Sequence, residues 1–426
     1  MNVLVWFRRD LRVADHPALA LAAGLGAVLP LYIVDPADWA AAEASARQWA
    51  FVAESLADLQ GALAGLGAPL VVRVGPPAEV LARLCRAHRI TRIVCHAGPG
   101  DAGLAAWARA QGIGWEALPP PAPGAAPLLP PGALTPVTGV APGLIPVARA
   151  LRLADDRCAH RQAGGRAQGL ALLDSFLAAR GEGYGLPAAP MVAERASSRL
   201  SPHLTHGTLS PAEVAAAVAV RVAERPGGRW PVALRAFRAR LDQRTQAPAM
   251  MPEGPATPHL AAFAAGETGL PFVDACLRYL RATGWLDDRL RAMLAGVACR
   301  HLGIGAGPAG TVLARAFTDY DPAIHWPQMQ RIAAGQGARA GHPVRLGQTC
   351  DPEGAFLRRW LPELDAVPDA FLHTPWRWRG APGVLGRRYP EPLVDPAVPL
   401  PRPPAAAPRR APRPRPVPAG QLCLDL

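Results

Sequence analysis

Two short stretches organise this sequence: GWLDDRLR at residues 284–291 and TDYDPAIHW at residues 318–326. The residues between them follow the period of a helix with one buried face. The charges of Arg291, Asp319 and Asp321 would therefore lie beside a hydrophobic core, where an unpaired ion costs several kcal/mol. A structural ion pair between two helices would satisfy these charges, and so would a site for a polar ligand.

The composition limits the classes of protein to which this chain can belong. The chain has 426 residues, half of them hydrophobic, which is enough for two domains. It contains no apolar run long enough to predict a transmembrane helix, and the first charges follow the opening apolar run, unlike in a secretory signal peptide. The seven cysteines show no CxxC spacing, so we expect neither a disulfide framework nor a metal site. The sequence predicts a cytoplasmic monomer without membrane contact.

The net charge of +12 comes entirely from arginine, since the sequence contains no lysine. Five arginines and one aspartate in residues 396–426 account for +4 of it, which leaves +8 for the rest of the chain. A positive field of this size attracts polyanions. The charge is therefore compatible with DNA binding.

The N-terminal part alternates short apolar runs with helical patterns. This alternation predicts a doubly wound parallel α/β sheet over residues 1–118, with no GxGxxG fingerprint after its first strand. The predicted strands are residues 2–7, 29–34, 70–74 and 92–96.

The remainder divides by composition into three parts. Residues 119–167 begin with a run of Pro, Gly, Ala and Leu, which predicts an interdomain linker. Residues 168–395 carry helical patterns throughout and are predicted to form an all-α domain. Residues 396–426 are rich in Pro and Arg and are predicted to be disordered.

The helical part opens with two hydroxyl-rich motifs, ASSRLSPHL at residues 196–204 and GTLSP at residues 207–211. Small hydroxyl residues ahead of a helix act as N-caps, and free backbone N–H groups there attract anions. Two ordinary helix caps and a phosphate site are both compatible with this pattern.

These stretches, together with WFRRDLR at residues 6–12, resemble the photolyase/cryptochrome family and occur in that family's order. The resemblance covers residues 1–120 and 168–376. It implies a U-shaped FAD in the helical domain. It also allows an antenna pigment, a folate or a deazaflavin, in the α/β domain, without indicating which pigment or whether one is bound.

The resemblance also implies roles for individual residues. The serines would contact the diphosphate, Arg291 and Asp319 would pair at the flavin ring, and Asp321 would accept a hydrogen bond from the ring's imide edge. The implied FAD-binding residues are Tyr184, Ser197, Ser198, Arg199, Leu200, Ser201, Trp285, Asp288, Arg291, Asp319, Asp321 and His325. The implied catalytic residues are His325 and Asp288, and the implied contacts to a damaged DNA duplex are Arg240, Gln243, Arg244 and Arg289.

Several positions depart from the repair enzymes of the family. His325 and Asp288 stand where those enzymes carry asparagines, and Gln243 lies where a base-stacking aromatic is expected. Met329 and Ala306 occupy two positions of the usual tryptophan chain for electron transfer. The family pattern favours light-driven repair of pyrimidine dimers in DNA. The departures favour a blue-light sensor or a DNA-binding flavoprotein without repair.

Overall fold

The computed structural model describes residues 1–98, 100–119, 128–186, 188–244, 250–336 and 342–395. The tail predicted to be disordered, residues 396–426, lies outside the described residues. No helix in the described part of the chain is long and apolar enough to cross a membrane.

The N-terminal part forms a five-stranded parallel sheet with strand order β3-β2-β1-β4-β5. Its apolar strands are buried on both faces because helices cover both sides. The strands are β1 (Asn2–Phe7), β2 (Ala27–Val34), β3 (Val71–Val74), β4 (Ile90–His96) and β5 (Gly114–Leu118). The helices are α1 (Pro17–Leu25), α2 (Pro36–Ala40), α3 (Ala46–Leu66), α4 (Pro77–Ala87) and α5 (Asp101–Ala110).

The sequence predicted four of these strands but not β5. This edge strand is only partly buried, pairs with β4 alone and carries Glu116, so it lacks the apolar run that marks the others. The helix α1 was also not predicted, although its Ala- and Leu-rich run after Pro17 has high helix propensity.

The segment after the sheet runs back over the α/β domain. Pro136 bridges to Val28, and the Val72 N–H donates to the Pro142 carbonyl at 2.6 Å. In its described part, the only helical element before residue 166 is a short 3₁₀ turn at Ala148–Leu151.

The remainder of the described chain is helical, as predicted. Its helices are α6 (Arg166–Ala178), α7 (Pro190–Ala196), α8 (Ser201–Thr205), α9 (Pro211–Glu224), α10 (Trp230–Asp242), α11 (His259–Ala265), α12 (Pro271–Thr283), α13 (Asp288–Gly296), α14 (Ala306–Ala316), α15 (Pro322–Ala333), α16 (Pro343–Cys350) and α17 (Ala355–Trp360). A π-helical turn, Val297–His301, continues α13.

The largest hydrophobic core lies around α12 and α13. Helix α12 begins with Pro271 at its first position and ends at Gly284 with φ +73°, the arrangement that favours a proline start and a glycine stop. Helix α13 begins after Asp287, whose carboxylate accepts from the backbone N–H groups of Arg289 and Leu290. The fold therefore fixes the loop between the two helices, residues 284–287, at both ends.

Candidate functional site

Arg291 and Asp319 form a buried ion pair at the centre of the helical domain. Arg291 Nη2 lies 2.8 Å from Asp319 Oδ2, and Arg291 Nε donates to the Leu286 carbonyl at 2.7 Å. The guanidinium also lies over the Phe317 ring, 3.9 Å from its centroid. Burial alone would raise the pKa of Asp319, but the Arg291 charge lowers it below its ordinary value, so the carboxylate is ionised.

One oxygen of the Asp319 carboxylate has no hydrogen-bond partner in the described part of the chain. The Ser201 hydroxyl donates to Oδ2, the oxygen that Arg291 also contacts. Oδ1 is buried and has no hydrogen-bond partner among the described residues. A buried carboxylate oxygen without a partner is costly, so this atom points to a ligand that donates a hydrogen bond.

Asp321 connects the polar site around Arg291 and Asp319, which we call the pocket, to the α/β domain. Its side chain caps α15 by accepting from the Ala323 N–H at 3.1 Å. Arg9, from the loop after β1, approaches the same oxygen at 3.1 Å. Asp321 is 5% exposed, so the pocket's second acid is held by residues of both domains.

His325 lies one helical turn along α15. Its Nε2 is 2.9 Å from the Gly310 carbonyl, which can only accept, so the ring proton lies on Nε2. Burial lowers the pKa of His325 to about 4. The ring is therefore neutral at pH 7, and Nδ1 carries a lone pair that can accept a proton or a hydrogen bond.

The hydroxyl-rich motif forms a tight turn ahead of α8. Ser197 Oγ accepts from the Arg199 N–H at 3.2 Å, Ser198 Oγ accepts from the Leu200 N–H at 3.3 Å, and Arg199 has φ +59°. Leu200, not a serine, occupies the N-cap of α8, so the simple-cap interpretation is wrong for this motif. It is correct for the second motif, where Ser210 forms a capping box at the start of α9.

Arg199 links this turn to the loop after α12. Its guanidinium pairs with Glu194 and stacks over the Trp285 ring, 4.8 Å from the centroid. Tyr279 donates to the other oxygen of Glu194. Glu194 therefore neutralises the charge of Arg199. The contact between Arg199 and Trp285 holds the indole ring at the edge of the pocket.

Tyr184 packs on the other side of the hydroxyl turn, against two phenylalanines. Its ring makes edge contacts with Phe176 (5.9 Å between centroids) and Phe237 (5.5 Å). The side chain is partly buried, so it belongs to the wall between α6 and α10.

Comparison with known proteins identifies the family. A model described as the FAD binding domain of DNA photolyase matches residues 230–399, and one described as DNA photolyase matches residues 3–114. The chain is 31% identical to a deoxyribodipyrimidine photo-lyase from Salmonella typhimurium, over 92% of this chain and 95% of that protein. This chain belongs to the photolyase/cryptochrome family. The family predicted from the sequence is confirmed.

Other members of the family are similar over the same length. A cryptochrome DASH from Gloeobacter violaceus is 28% identical over 92% of this chain and 93% of that protein. The crystal structure of a class III photolyase from Agrobacterium tumefaciens superposes with a TM-score of 0.74 at 25% identity, covering 92% of this chain and 94% of that one. The structure of a Synechocystis cryptochrome has a TM-score of 0.78 at 24% identity, covering 92% and 96%. Photolyases and cryptochromes are both among these relatives, so the similarity establishes the family and the fold.

The pocket fits the FAD that this family's helical domain binds. Asp319 Oδ1 offers a free acceptor for a ring N–H, and the Arg291 guanidinium offers donors. Thr318 Oγ1, beside Asp319, is likewise buried without a partner among the described residues. These acceptor and donor groups suit a ligand that carries both N–H groups and anionic oxygens.

The family's expected DNA contacts lie at the surface near the start of α13. Arg240 pairs with Asp288, whose side chain is 59% exposed, and Gln243 is exposed as well. Arg289 donates to the Leu186 carbonyl at 3.1 Å. Arg244, the fourth of the expected DNA contacts, is placed differently from the other three. It points inward and donates to the Thr205 hydroxyl at 2.9 Å.

At the two positions expected for the family's tryptophan chain, this protein carries a methionine and an alanine. Met329 is 2% exposed within the largest core, and Ala306 is the first residue of α14. Trp326 is buried beside His325, with ring centroids 4.8 Å apart, and it packs so closely on Gly310 that a Cβ there would lie 2.3 Å from its ring.

A second polar cluster lies where β1 and β4 end. Asp10 accepts from the Arg8 backbone N–H at 2.7 Å and contacts His16 Nε2 at 3.1 Å and His96 Nδ1 at 2.6 Å. His16 Nδ1 accepts from the Leu19 N–H, so its proton lies on Nε2 and neither ring nitrogen offers a lone pair to a metal. The cluster is a hydrogen-bond network that braces the loop after β1.

Sequence reasoning missed three side chains that reach the site from elsewhere in the chain. Arg9 lies within WFRRDLR, and that motif could have drawn attention to it, but its partner Asp321 is far away in sequence. Glu194 precedes Arg199 by five residues but lies outside the hydroxyl-rich motif. Gln48 has no local signal, because only the fold brings it to the end of α14.

Proposed function

We propose that this protein is a FAD-dependent enzyme that uses blue light to repair pyrimidine dimers in damaged duplex DNA. The observation that carries the proposal is the near full-length similarity to deoxyribodipyrimidine photo-lyases, 31% identical to the Salmonella protein over 95% of its length. The buried Arg291–Asp319 pair, with its free carboxylate oxygen, supports the position of the cofactor.

In the proposed function, each part of the chain has its own role. Residues 1–118 form the α/β domain that the family uses for an antenna, residues 119–167 the linker, and residues 168–395 the FAD-binding domain. Residues 396–426 form a tail with a net charge of +4.

The pocket residues would bind FAD and exclude water. Asp319 and Asp321 would accept hydrogen bonds from the ring, Ser197, Ser198 and Ser201 would face the diphosphate, and Trp285 would close one wall. FAD, when bound in its reduced form and excited by light, supplies the electron that splits the dimer. His325 would contribute a neutral acceptor at Nδ1, and the Gly310 carbonyl holds the ring in that orientation.

DNA would approach the surface formed by the end of α10 and the start of α13. The net charge of +8 outside the tail attracts phosphates, and a dimer flipped from the duplex would enter beside Gln243 and Asp288. Arg240 and Arg289 lie at this surface, whereas Arg244 lies deeper, where burial lowers the pKa of its guanidinium while Asp319 and Asp321 oppose that shift.

A blue-light sensor without repair is the second candidate, and one observation favours it. Asp288 neutralises Arg240 at the surface where the dimer would enter, and an ionised carboxylate repels phosphate. A protein with this pair would bind the cofactor normally but hold a lesion weakly.

The deciding experiment is a repair assay on protein that has been reduced chemically. The protein is mixed with a dimer-containing oligonucleotide and illuminated with blue light, and restored pyrimidines are measured against a dark control. Light-dependent restoration supports repair. Bound, reduced FAD without any restoration would assign the protein to the sensor class.

A further inference from the structure

The first turn of α3 reaches out of the α/β domain into the helical domain. Arg47 and Gln48 lie there and are 4% and 6% exposed. Buried polar side chains need partners for every donor. These two find theirs in the helical domain and in the linker.

Their partners are the last carbonyls of two helices. Arg47 Nη1 donates to the Leu280 carbonyl of α12 at 3.2 Å and to the Ala316 carbonyl of α14 at 2.8 Å. Gln48 Nε2 donates to the carbonyls of Ala314 and Phe317 at 2.9 and 3.2 Å. The carbonyls in the last turn of a helix have few partners within it, and a cation at this end is favourable. The Leu280 carbonyl also accepts from the Gly284 N–H at 2.8 Å. Two side chains of one domain thus cap two helices of the other.

The two capped helices lead directly into the cofactor pocket. Helix α12 is followed by Gly284 and Trp285, and α14 by the turn that carries Asp319. The two turns also touch, since the Thr318 N–H donates to the Gly284 carbonyl at 3.1 Å. At Gly284, with φ +73°, a Cβ would lie 2.2 Å from Thr318 Oγ1, so this contact leaves no room for a side chain. A shift of either helix end would therefore move both sides of the pocket.

The linker completes the arrangement. Asp156 accepts from Arg47 Nε at 2.7 Å and from the Arg47 backbone N–H at 3.0 Å. Arg47 Nη2 also donates to the Asp156 carbonyl at 3.2 Å. The guanidinium is thereby neutralised and oriented, with Nη1 directed at the helix ends. The α/β domain, the linker and the pocket turns meet at this one side chain.

We propose that Arg47 and Gln48 are positioning residues for FAD: from the α/β domain they fix the spacing of the turns that carry Trp285 and Asp319. The inference rests on the proposed placement of FAD beside Asp319. The α/β domain then has a role in cofactor binding that does not depend on any antenna pigment.

Gln48→Glu is the variant that tests this inference most directly. Gln48 Oε1 accepts from the Ser45 N–H at 3.1 Å in the capping box of α3, and a glutamate keeps this acceptor and the shape of the side chain. It removes both donors to α14 and places a negative charge against carbonyl oxygens. Arg47→Lys is the conservative companion, because lysine keeps the charge but not the fork that reaches two helices.

The matched control is Arg315→Ala. Arg315 lies on α14 and donates to the Ala42 carbonyl of the α/β domain at 3.0 Å. This contact also crosses the domain interface, but it is exposed and touches neither pocket turn. A general loosening of the interface would affect this variant and Gln48→Glu alike.

The experiment is a titration of apo-protein with FAD, followed by flavin fluorescence and by visible circular dichroism of the bound flavin. Each variant is measured well below the unfolding midpoint of its own apo-protein. We expect Gln48→Glu to raise the dissociation constant about tenfold and to alter the dichroism, since two hydrogen bonds are lost and buried carbonyls are left unpaired. Arg47→Lys should show a smaller loss, about threefold, and Arg315→Ala less than twofold.

The outcomes separate this inference from the placement of FAD. Wild-type affinity and dichroism in Gln48→Glu would overturn the inference, and so would an equal loss in Arg315→Ala. If Asp319→Ala loses FAD while Gln48→Glu keeps it, the positioning role fails but the FAD site stands. A wild-type protein that takes up no FAD would overturn both.

Discussion

Two aspartate–arginine pairs of the helical domain differ mainly in their surroundings. In the pocket, the side chains of Asp319 and Arg291 are 6% and 23% exposed. At the surface, those of Asp288 and Arg240 are 59% and 37% exposed. Both arginines contact their aspartates directly, so the residue types alone do not distinguish the two pairs.

Burial decides what each pair contributes. Removing one partner of a buried pair leaves an unpaired charge, at a cost of about 3–5 kcal/mol, whereas an exposed pair is worth about 0–1 kcal/mol. The pocket pair is also held by Ser201, Leu286 and Phe317. The contrast indicates that several contacts hold the pocket pair in one geometry, while the surface pair can change without affecting the fold.

The largest effect is expected from Asp319→Ala. We expect the free energy of unfolding to fall by about 3–5 kcal/mol, because Arg291 loses its only anionic partner described here, and FAD retention to be lost. Chemical denaturation and the flavin absorbance of the purified variant measure the two effects.

Asp288→Ala is the matched control for that variant. The free energy of unfolding should change by less than about 1 kcal/mol. Equal destabilisation by the two substitutions would contradict the division between a buried and an exposed pair.

The effect of acid is smaller for each titrating group and each pH unit. Burial lowers the pKa of His325 and His203 to about 4 and that of His206 to about 3, from 6.5. The unfolded chain therefore takes up protons first, so stability is complete above pH 6.5 and falls as the pH drops towards 4. Each of these groups contributes a slope of about 1.4 kcal/mol per pH unit within that window.

Denaturation curves between pH 7 and pH 4.5 test this expectation. His325→Gln keeps a donor for the Gly310 carbonyl and removes one titrating group, so its stability should fall less steeply. Burial raises the pKa of Asp274 to about 6, which contributes a slope of opposite sign in the same window, so the deciding quantity is the difference between the two curves. Equal slopes for wild type and His325→Gln would show that His325 accepts a proton in the folded state.

The smallest effect is expected at the surface pair. Asp288→Asn frees Arg240 from its ion pair and removes a charge that repels phosphate, so we expect DNA binding to tighten about threefold. Fluorescence anisotropy at two salt concentrations measures it, with FAD content as the control. Weaker binding by Asp288→Asn would show that Asp288 orders Arg240 for DNA instead of competing with it.

The fold was largely predictable because its signals are local. Four of the five strands show as apolar runs, and the helical domain shows as a continuous 3.6-residue pattern. The strand β5 was missed because an edge strand that is half-buried needs no apolar run. The cap at Ser210 was predictable, since a capping box lies within four residues.

The site was predictable only where its residues belong to motifs. The Arg291–Asp319 pair follows from the need to neutralise charges beside a core, and the structure shows it. The contacts from Arg9, Arg47 and Gln48 could not be predicted, because they join residues of different domains. The inward direction of Arg244 also depends on the fold, since sequence spacing gives no direction to a flexible side chain at a helix end.

The visible spectrum of the purified protein tests the central claim most directly. The account predicts flavin absorption bands, about one FAD released per chain on denaturation, and loss of both in Asp319→Ala. Wild-type protein that is colourless and takes up no added FAD, or an Asp319→Ala variant that holds FAD as tightly as wild type, would contradict it.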